Sequence, residues 1–74
     1  MAAVLHLYKG GDPGLALAAI ERGLAAGDQV SVALLHGAAL TRLPGGVRVQ
    51  RVPDELDWDA LLETIFASDQ VVTW

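Results

Sequence analysis

One short segment sets the strongest limit on what this chain can fold into. Between Val30 and His36, all four residues from Val32 to Leu35 are apolar, so both faces of a strand formed there would be apolar. Strands of this kind occur inside parallel sheets, where helices cover both faces. The segment is much too short to cross a bilayer, which needs about 20 apolar residues in a helix. We therefore expect an α/β domain with this strand near its centre.

The residues on either side of this segment alternate between strand-like and helix-like patterns. Asp12 stands where an N-cap is expected, Pro13 suits the first helical position, and Gly27 suits a helix end. Asp57 is a second candidate N-cap. The predicted order is a strand over residues 4–8, a helix over 13–26, a strand over 30–36, a short helix or a turn over 37–43, a strand over 47–52, a helix from 58 and a strand over 70–74.

The character of each strand predicts its place in the sheet. The first two strands are apolar and should be central, whereas the third carries Arg48 and Arg51 and should be an edge. The fourth is short and suits the other edge. Residues 1–74 are thus predicted to form a single domain, a small three-layer α/β fold with flanking helices. Its four-stranded, mostly parallel sheet should have the order 3-2-1-4, since the order 2-1-3-4 would expose the most apolar strand.

The last helix carries apolar residues at positions i, i+3, i+4, i+7 and i+8, a spacing typical of a face that is turned toward a core. We expect this apolar face to turn toward the core, with Trp58 as a core residue or a staple residue of the helix. The five apolar residues are Trp58, Leu61, Leu62, Ile65 and Phe66.

Size and composition indicate that this chain associates with a partner. A domain of 74 residues buries only about 60% of the surface that its unfolded chain exposes. Small domains often compensate with disulfides, a metal or a partner. The chain has no cysteine, and it is 53% hydrophobic. We therefore expect it to assemble with other chains, and we expect no metal and no cofactor.

The charge and the N-terminal sequence narrow the range of partners and compartments. The net charge of −4 argues against direct contact with nucleic acid, which calls for clustered Lys and Arg. The first residues lack the basic and apolar regions of a signal peptide. A soluble cytoplasmic protein without a membrane partner is expected. The acidic cluster after Pro53 lacks the glycine and the final glutamate of a calcium loop, and acidic residues suit the first turn of a helix.

Two candidate sites follow from the predicted topology, because ligands of α/β sheets bind beyond the carboxyl ends of the strands. Lys9, Gly10 and Gly11 follow the first strand and are candidates for binding an anion, with His36 after the second strand as a possible acid–base group. The alternative is that Gly10 and Gly11 only make a tight strand-to-helix turn, and that His36 lies at the rim. No catalytic residue is predicted.

Three further residues are predicted to lie at a subunit interface. His6 stands inside an apolar strand, where it would be a hydrogen-bonded core or interface residue. Tyr8 ends the same strand, and Trp74 ends the last one. Tryptophan is enriched at the centres of interfaces, so we expect Trp74 to pack at or beside a contact with another subunit.

Two segments resemble the TusB/DsrH family. Residues 4–9, followed by Gly-Gly-Asp-Pro, resemble the Leu-His…Lys-Ser-Pro pattern at the N-terminus of that family. Residues 68–74 resemble its Val-Thr-Trp-like ending. The resemblance implies a DsrE-like domain that assembles with two related subunits, DsrE/DsrF-like or TusD/TusC-like, into a complex that relays persulfide sulfur. The sulfur serves tRNA 2-thiouridine synthesis in one branch and sulfur oxidation in the other.

The absence of cysteine restricts the role that this resemblance implies, because sulfane sulfur is carried on a thiolate. The chain would be a non-catalytic subunit that supports a cysteine-bearing partner, with self-association also open. The alternative from another class is a small anion- or nucleotide-binding module that uses Lys9, Gly10 and Gly11. A stand-alone enzyme is disfavoured, because no nucleophile stands beside a base in the sequence.

Overall fold

The second strand lies inside a parallel sheet, as its apolar sequence requires. A computed structural model describes residues 2–74 of the chain. Its elements are β1 (Ala3–Tyr8), α1 (Pro13–Ala25), β2 (Gln29–Leu34), β3 (Arg48–Arg51), α2 (Trp58–Ala67) and β4 (Gln70–Thr73).

The four strands form one sheet in the order β3-β2-β1-β4, and all neighbouring pairs are parallel. β1 pairs with β2 from Ala3 opposite Gln29 to Tyr8 opposite Leu34. The predicted fold class and strand order are confirmed, with β3 and β4 at the two edges. Within residues 2–74, no helix has both the length and the apolar character needed to cross a membrane.

Each face of the sheet packs against one helix. On the α1 face, Ile20 of the helix is fully buried and packs in a cluster with Val32. On the α2 face, Leu61 of the helix packs in a cluster with Leu5 and Ala33. Successive residues of a strand point to opposite faces, so the unbroken apolar run in β2 supplies side chains to both clusters. Burying one such aliphatic side chain contributes about 1.5–3 kcal/mol.

Both helices begin at the predicted caps. Oδ1 of Asp12 accepts hydrogen bonds from the N–H groups of Gly14, at 2.9 Å, and Leu15, at 3.2 Å. Oδ1 of Asp57 accepts one from the N–H of Ala60 at 2.8 Å. Each cap satisfies N–H groups that have no partner within the helix, which is why aspartate is favoured there.

The short helix that the sequence allows over residues 37–43 does not form, and the described residues between β2 and β3 are a loop. His36 and Gly37 have φ angles of 55° and 72°. Two successive residues in the left-handed region cannot begin a right-handed helix. The loop is still anchored, because Leu40 and Leu43 pack against the core cluster on the α1 face.

The expectation that the whole apolar side of the last helix faces the core is wrong. Leu61 is buried and Ile65 is packed against the core, but Trp58, Leu62 and Phe66 are 51%, 51% and 79% exposed. The apolar side chains span a wider arc of the helix than the sheet beneath it covers. Trp58, in particular, is not a core residue.

Candidate functional site

Trp74 is held against the carboxyl end of β1 by three hydrogen bonds. Its backbone N–H donates to the carbonyl oxygen of Leu7 at 2.9 Å, and the N–H of Lys9 donates to the carbonyl oxygen of Trp74 at 3.3 Å. Its indole Nε1–H donates to Nδ1 of His6 at 3.0 Å. The side chain also packs against the core cluster on the α1 face. Trp74 is therefore joined to its own domain by both its backbone and its ring.

The Gly-Gly turn after β1 is shaped to fit Trp74. Gly10 has a φ of 107°, which favours glycine. A Cβ atom on Gly11 would lie 2.9 Å from the carbonyl carbon of Trp74, closer than packed carbon atoms approach. The hydroxyl of Tyr8 donates to the carbonyl oxygen of Gly11 at 2.7 Å. These contacts explain both glycines as parts of a tight turn that another segment covers.

The same turn offers little to an anion. The N–H groups of Gly14 and Leu15, at the start of α1, already donate to Oδ1 of Asp12. The Asp12 carboxylate therefore occupies the position at which a helix N-terminus would hold an anion, and its negative charge would repel one. Lys9 and Gly10 are exposed and would be the remaining contacts.

His36 is exposed beyond the carboxyl end of β2. Its ring centroid lies 6.5 Å from that of Trp58, and the two planes are tilted by 46°. A cavity of about 180 Å³ is lined by Leu34, Gly37, Ala38, Ala39, Arg51 and Asp54, and His36 is not among its lining residues. Lys9, Gly10 and Gly11 do not line this cavity. The sequence-predicted anion-binding residues therefore do not converge on this cavity.

The predicted interface residues His6 and Tyr8 lie beneath the surface of the single chain. Each is only 3% exposed, while Trp74 is half-buried. Burial lowers the pKa of His6, because desolvation disfavours the imidazolium. The indole donor on Nδ1 also needs that nitrogen unprotonated, which places the ring proton of neutral His6 on Nε2. An interface role for the three residues remains a prediction.

A groove of about 310 Å³, which the residue patterns do not predict, lies beside the edge strand β4. It lies between α1 and the edge of the sheet, and the His6 ring forms part of its wall. The lining residues are Val4, His6, Ala19, Arg22, Gly23, Ala26, Asp28, Gln70 and Val72. Arg22 and Asp28 offer charges of both signs. The sequence indicates the groove only indirectly. A single helix, α1, has to cover one face of a sheet that has four strands.

Within residues 2–74, no three histidine, aspartate or glutamate side chains gather as ligands for a metal ion. The acidic side chains after Pro53 are instead spread along the surface. Oδ1 of Asp57 caps α2, and Oε1 of Glu55 accepts a hydrogen bond from the backbone N–H of Arg51 at 3.0 Å. Capping and turn formation account for these two carboxylates.

The most prominent surface feature is a row of large apolar side chains on α2, called here the α2 stripe and made of Trp58, Leu62 and Phe66. Their spacing of four residues places them along one side of the helix. Each is at least half exposed. Contiguous exposed apolar side chains of this size mark interaction surfaces more often than isolated ones do. The sequence had assigned these residues to the core.

Comparison of this chain with known proteins finds no matching family model, no matching curated protein and no matching solved structure.

Proposed function

We propose that this chain is a non-catalytic subunit of a sulfur-relay complex resembling those of the TusB/DsrH family. It would assemble with DsrE/DsrF-like partners, one of which carries the sulfur on a cysteine. The complex would serve tRNA 2-thiouridine synthesis or sulfur oxidation. The α2 stripe is the observation that carries the assembly part of this proposal.

The α2 stripe supports assembly because its exposure is unfavourable for an isolated chain. Trp58, Leu62 and Phe66 leave at least half of each side chain in water. Covering a large apolar side chain contributes on the order of 1.5–3 kcal/mol, and aromatic residues dominate the binding energy of many interfaces. A surface of this kind is better suited to contact with a protein than to catalysis.

The sulfur-relay part of the proposal rests on the sequence resemblance and on the missing thiol. The segments that carry the resemblance, residues 4–13 and 68–74, are neighbours in the fold, because β4 pairs with β1. The chain has no cysteine, so the sulfur would be carried by a partner. A supporting subunit is the role that suits such a chain.

The alternative role, a small anion- or nucleotide-binding module, has weaker support. Oδ1 of Asp12 already accepts the N–H groups of Gly14 and Leu15 at the start of α1. The backbone of Trp74 also lies so close to Gly11 that a Cβ atom there would be only 2.9 Å from its carbonyl carbon. An anion at Lys9 and Gly10 would therefore have few backbone donors.

Reconstitution tests the proposed function. The chain is co-expressed with two DsrE-like proteins encoded in the same genome, one of which carries a loop cysteine. Light scattering after size-exclusion chromatography should give one complex that contains all three chains. Transfer of ³⁵S from the partner's persulfide to an acceptor protein should be faster with this chain than without it. Failure to co-elute with either partner would contradict the proposal.

A further inference from the structure

The helix that carries the α2 stripe and the residues flanking it in sequence carry charge of a single sign, and the neighbouring cation Arg51 lines a cavity with Asp54. Residues 54–69 contain six of the nine acidic residues of the chain and no lysine or arginine. All six acidic residues are exposed, namely Asp54, Glu55, Asp57, Asp59, Glu63 and Asp69. An apolar row on such an acidic segment favours partners that present positive charge beside an apolar surface.

Three of these carboxylates accept hydrogen bonds from backbone N–H groups of the chain, and three are available to a partner. Asp57 caps α2, Glu55 accepts from the N–H of Arg51, and Asp69 accepts from the N–H of Ala3 at 2.8 Å. The other three accept no hydrogen bond from the part of the chain that the structure describes; they are Asp54, Asp59 and Glu63.

Asp59 and Glu63 lie directly beside the α2 stripe. Each follows a stripe residue in sequence, Trp58 and Leu62 respectively, and the two are four residues apart on α2. Like charges at this spacing destabilise a helix. Cations supplied by a partner would remove this repulsion and would gain attraction from both carboxylates.

We propose that the α2 stripe docks on a partner protein that presents an apolar surface flanked by lysine or arginine. This inference rests on the proposed function, because it specifies the chemistry of the partner in the same kind of assembly. The apolar contact would supply most of the affinity, and the charged flanks would supply orientation and rate of association.

A second copy of the chain is a poorer occupant of this surface. In a two-fold symmetric contact, the same patch of each subunit faces the other. Two stripes meeting in this way would bring Asp59 and Glu63 of one copy close to the same carboxylates of the other. Such juxtaposition of like charges is unfavourable. Self-association is therefore an outcome of the test that would overturn the proposal.

Two synthetic helical peptides serve as probes. They share one leucine face and differ only in its flanks, which carry lysine in one peptide and glutamate in the other. The chain has two tryptophans, so NMR should resolve two indole N–H resonances. At low salt, we expect the lysine peptide to bind roughly tenfold more tightly and to shift the Trp58 resonance. The difference should shrink at high salt, which screens exposed charges.

Matched variants show whether the charges act locally. Glu63→Lys should weaken binding of the lysine peptide several-fold. Glu21→Lys changes the net charge equally at an exposed position of α1, on the opposite face of the sheet, and should leave binding unchanged. For the apolar row, Phe66→Ser should weaken binding of the lysine peptide. Leu15→Ser removes an exposed apolar side chain of α1 instead and should have no effect.

Three results would overturn the proposal: equal affinity for the two peptides, equal effects of the two charge reversals, or a dimer of the chain alone that Phe66→Ser dissociates. None of these measurements uses a sulfur-relay protein. If reconstitution fails while the peptide results hold, the sulfur-relay role is lost and the docking surface stands. If the complex forms but the peptides do not discriminate, the docking inference fails alone.

Discussion

The indole N–H of Trp74 donates a 3.0 Å hydrogen bond to Nδ1 of His6, which joins residues that are 68 positions apart. The ring planes are 16° apart and the centroids are separated by 6.2 Å. The pairing of β1 with β4 places His6 opposite Val72. Trp74 lies two residues further along the chain, on the same face of the sheet. The last residue of the sequence is thereby joined to the centre of β1.

The burial of His6 predicts that the protein loses stability in mild acid. Burial lowers the pKa of His6 below its ordinary value of 6.5, so the unfolded chain binds a proton at a higher pH than the folded one does. Stability is therefore at its full value above about pH 6.5 and falls as the pH drops from there toward the folded pKa. Urea unfolding at pH 7.5 and at pH 5.5 should give a lower free energy of unfolding at the lower pH.

The matched control is His6→Asn, which keeps a side-chain acceptor but does not titrate. Arg22 and Asp28 share the groove beside His6 and are unchanged in this variant. We expect His6→Asn to be less stable than the wild type at pH 7.5, with a smaller loss between the two pH values. An equal loss in both proteins would show that His6 is not the titrating group.

The two tryptophans should respond to substitution in opposite ways. Trp74 packs against the core cluster and donates to His6, so Trp74→Ala should cost about 2 kcal/mol or more of folding stability. Trp58 is 51% exposed, so Trp58→Ala should cost less than about 1 kcal/mol and should weaken partner binding instead. Chemical denaturation measures the first effect, and peptide titration measures the second. Equal destabilisation by both changes would contradict this assignment.

The sheet could be predicted because its signals are local and consistent. Arg48 and Arg51 mark β3 as an edge, the apolar residues of β2 require cover on both faces, and Asp12 and Asp57 each have the side chain of a helix cap. Each of these features depends on the polarity of a residue or on a hydrogen bond to a nearby backbone group, and both can be read from the residue types along one sequence.

The orientation of α2 could not be predicted in the same way. Its apolar residues cover a wide arc, and the sequence does not say which part of the arc the sheet covers. The packing of Leu61 with Leu5 and Val52 settles that question through tertiary contacts. The loop after β2 is similar, because the left-handed conformation of His36 is rare for a residue other than glycine. The His6–Trp74 bond likewise depends on the register of β4, which residue patterns do not specify.

Gly11 should be intolerant of any side chain. A Cβ there would lie 2.9 Å from the carbonyl carbon of Trp74, so Gly11→Ala must displace Trp74 or the turn. We expect a cost of about 1–3 kcal/mol, typical of overpacking. Gly45 is a matched control, since a Cβ there would meet no atom within 4 Å. Gly45→Ala should be neutral or slightly stabilising. Thermal unfolding compares the two variants, and equal melting temperatures would refute the close contact.

The turn after β1 should prove to be structural and not a site for anions. Lys9 is exposed, so Lys9→Ala should change the free energy of unfolding by no more than about 0.5 kcal/mol. Asp12→Ala removes the acceptor of two N–H groups and should cost about 0.5–2 kcal/mol, whereas Asp12→Ser should restore most of that loss.

Titration with inorganic phosphate and ADP, followed by NMR, separates this view from the anion-binding alternative. If Asp12 occupies the start of α1, neither ligand should shift the amide resonances of Gly10, Gly11 or Gly14 in the wild type. The alternative predicts saturable shifts at these amides that disappear in Lys9→Ala. Shifts that depend on Lys9 would show that Lys9 binds the ligand, because removing a lysine from a purely structural turn should not change how these amides respond to phosphate or ADP.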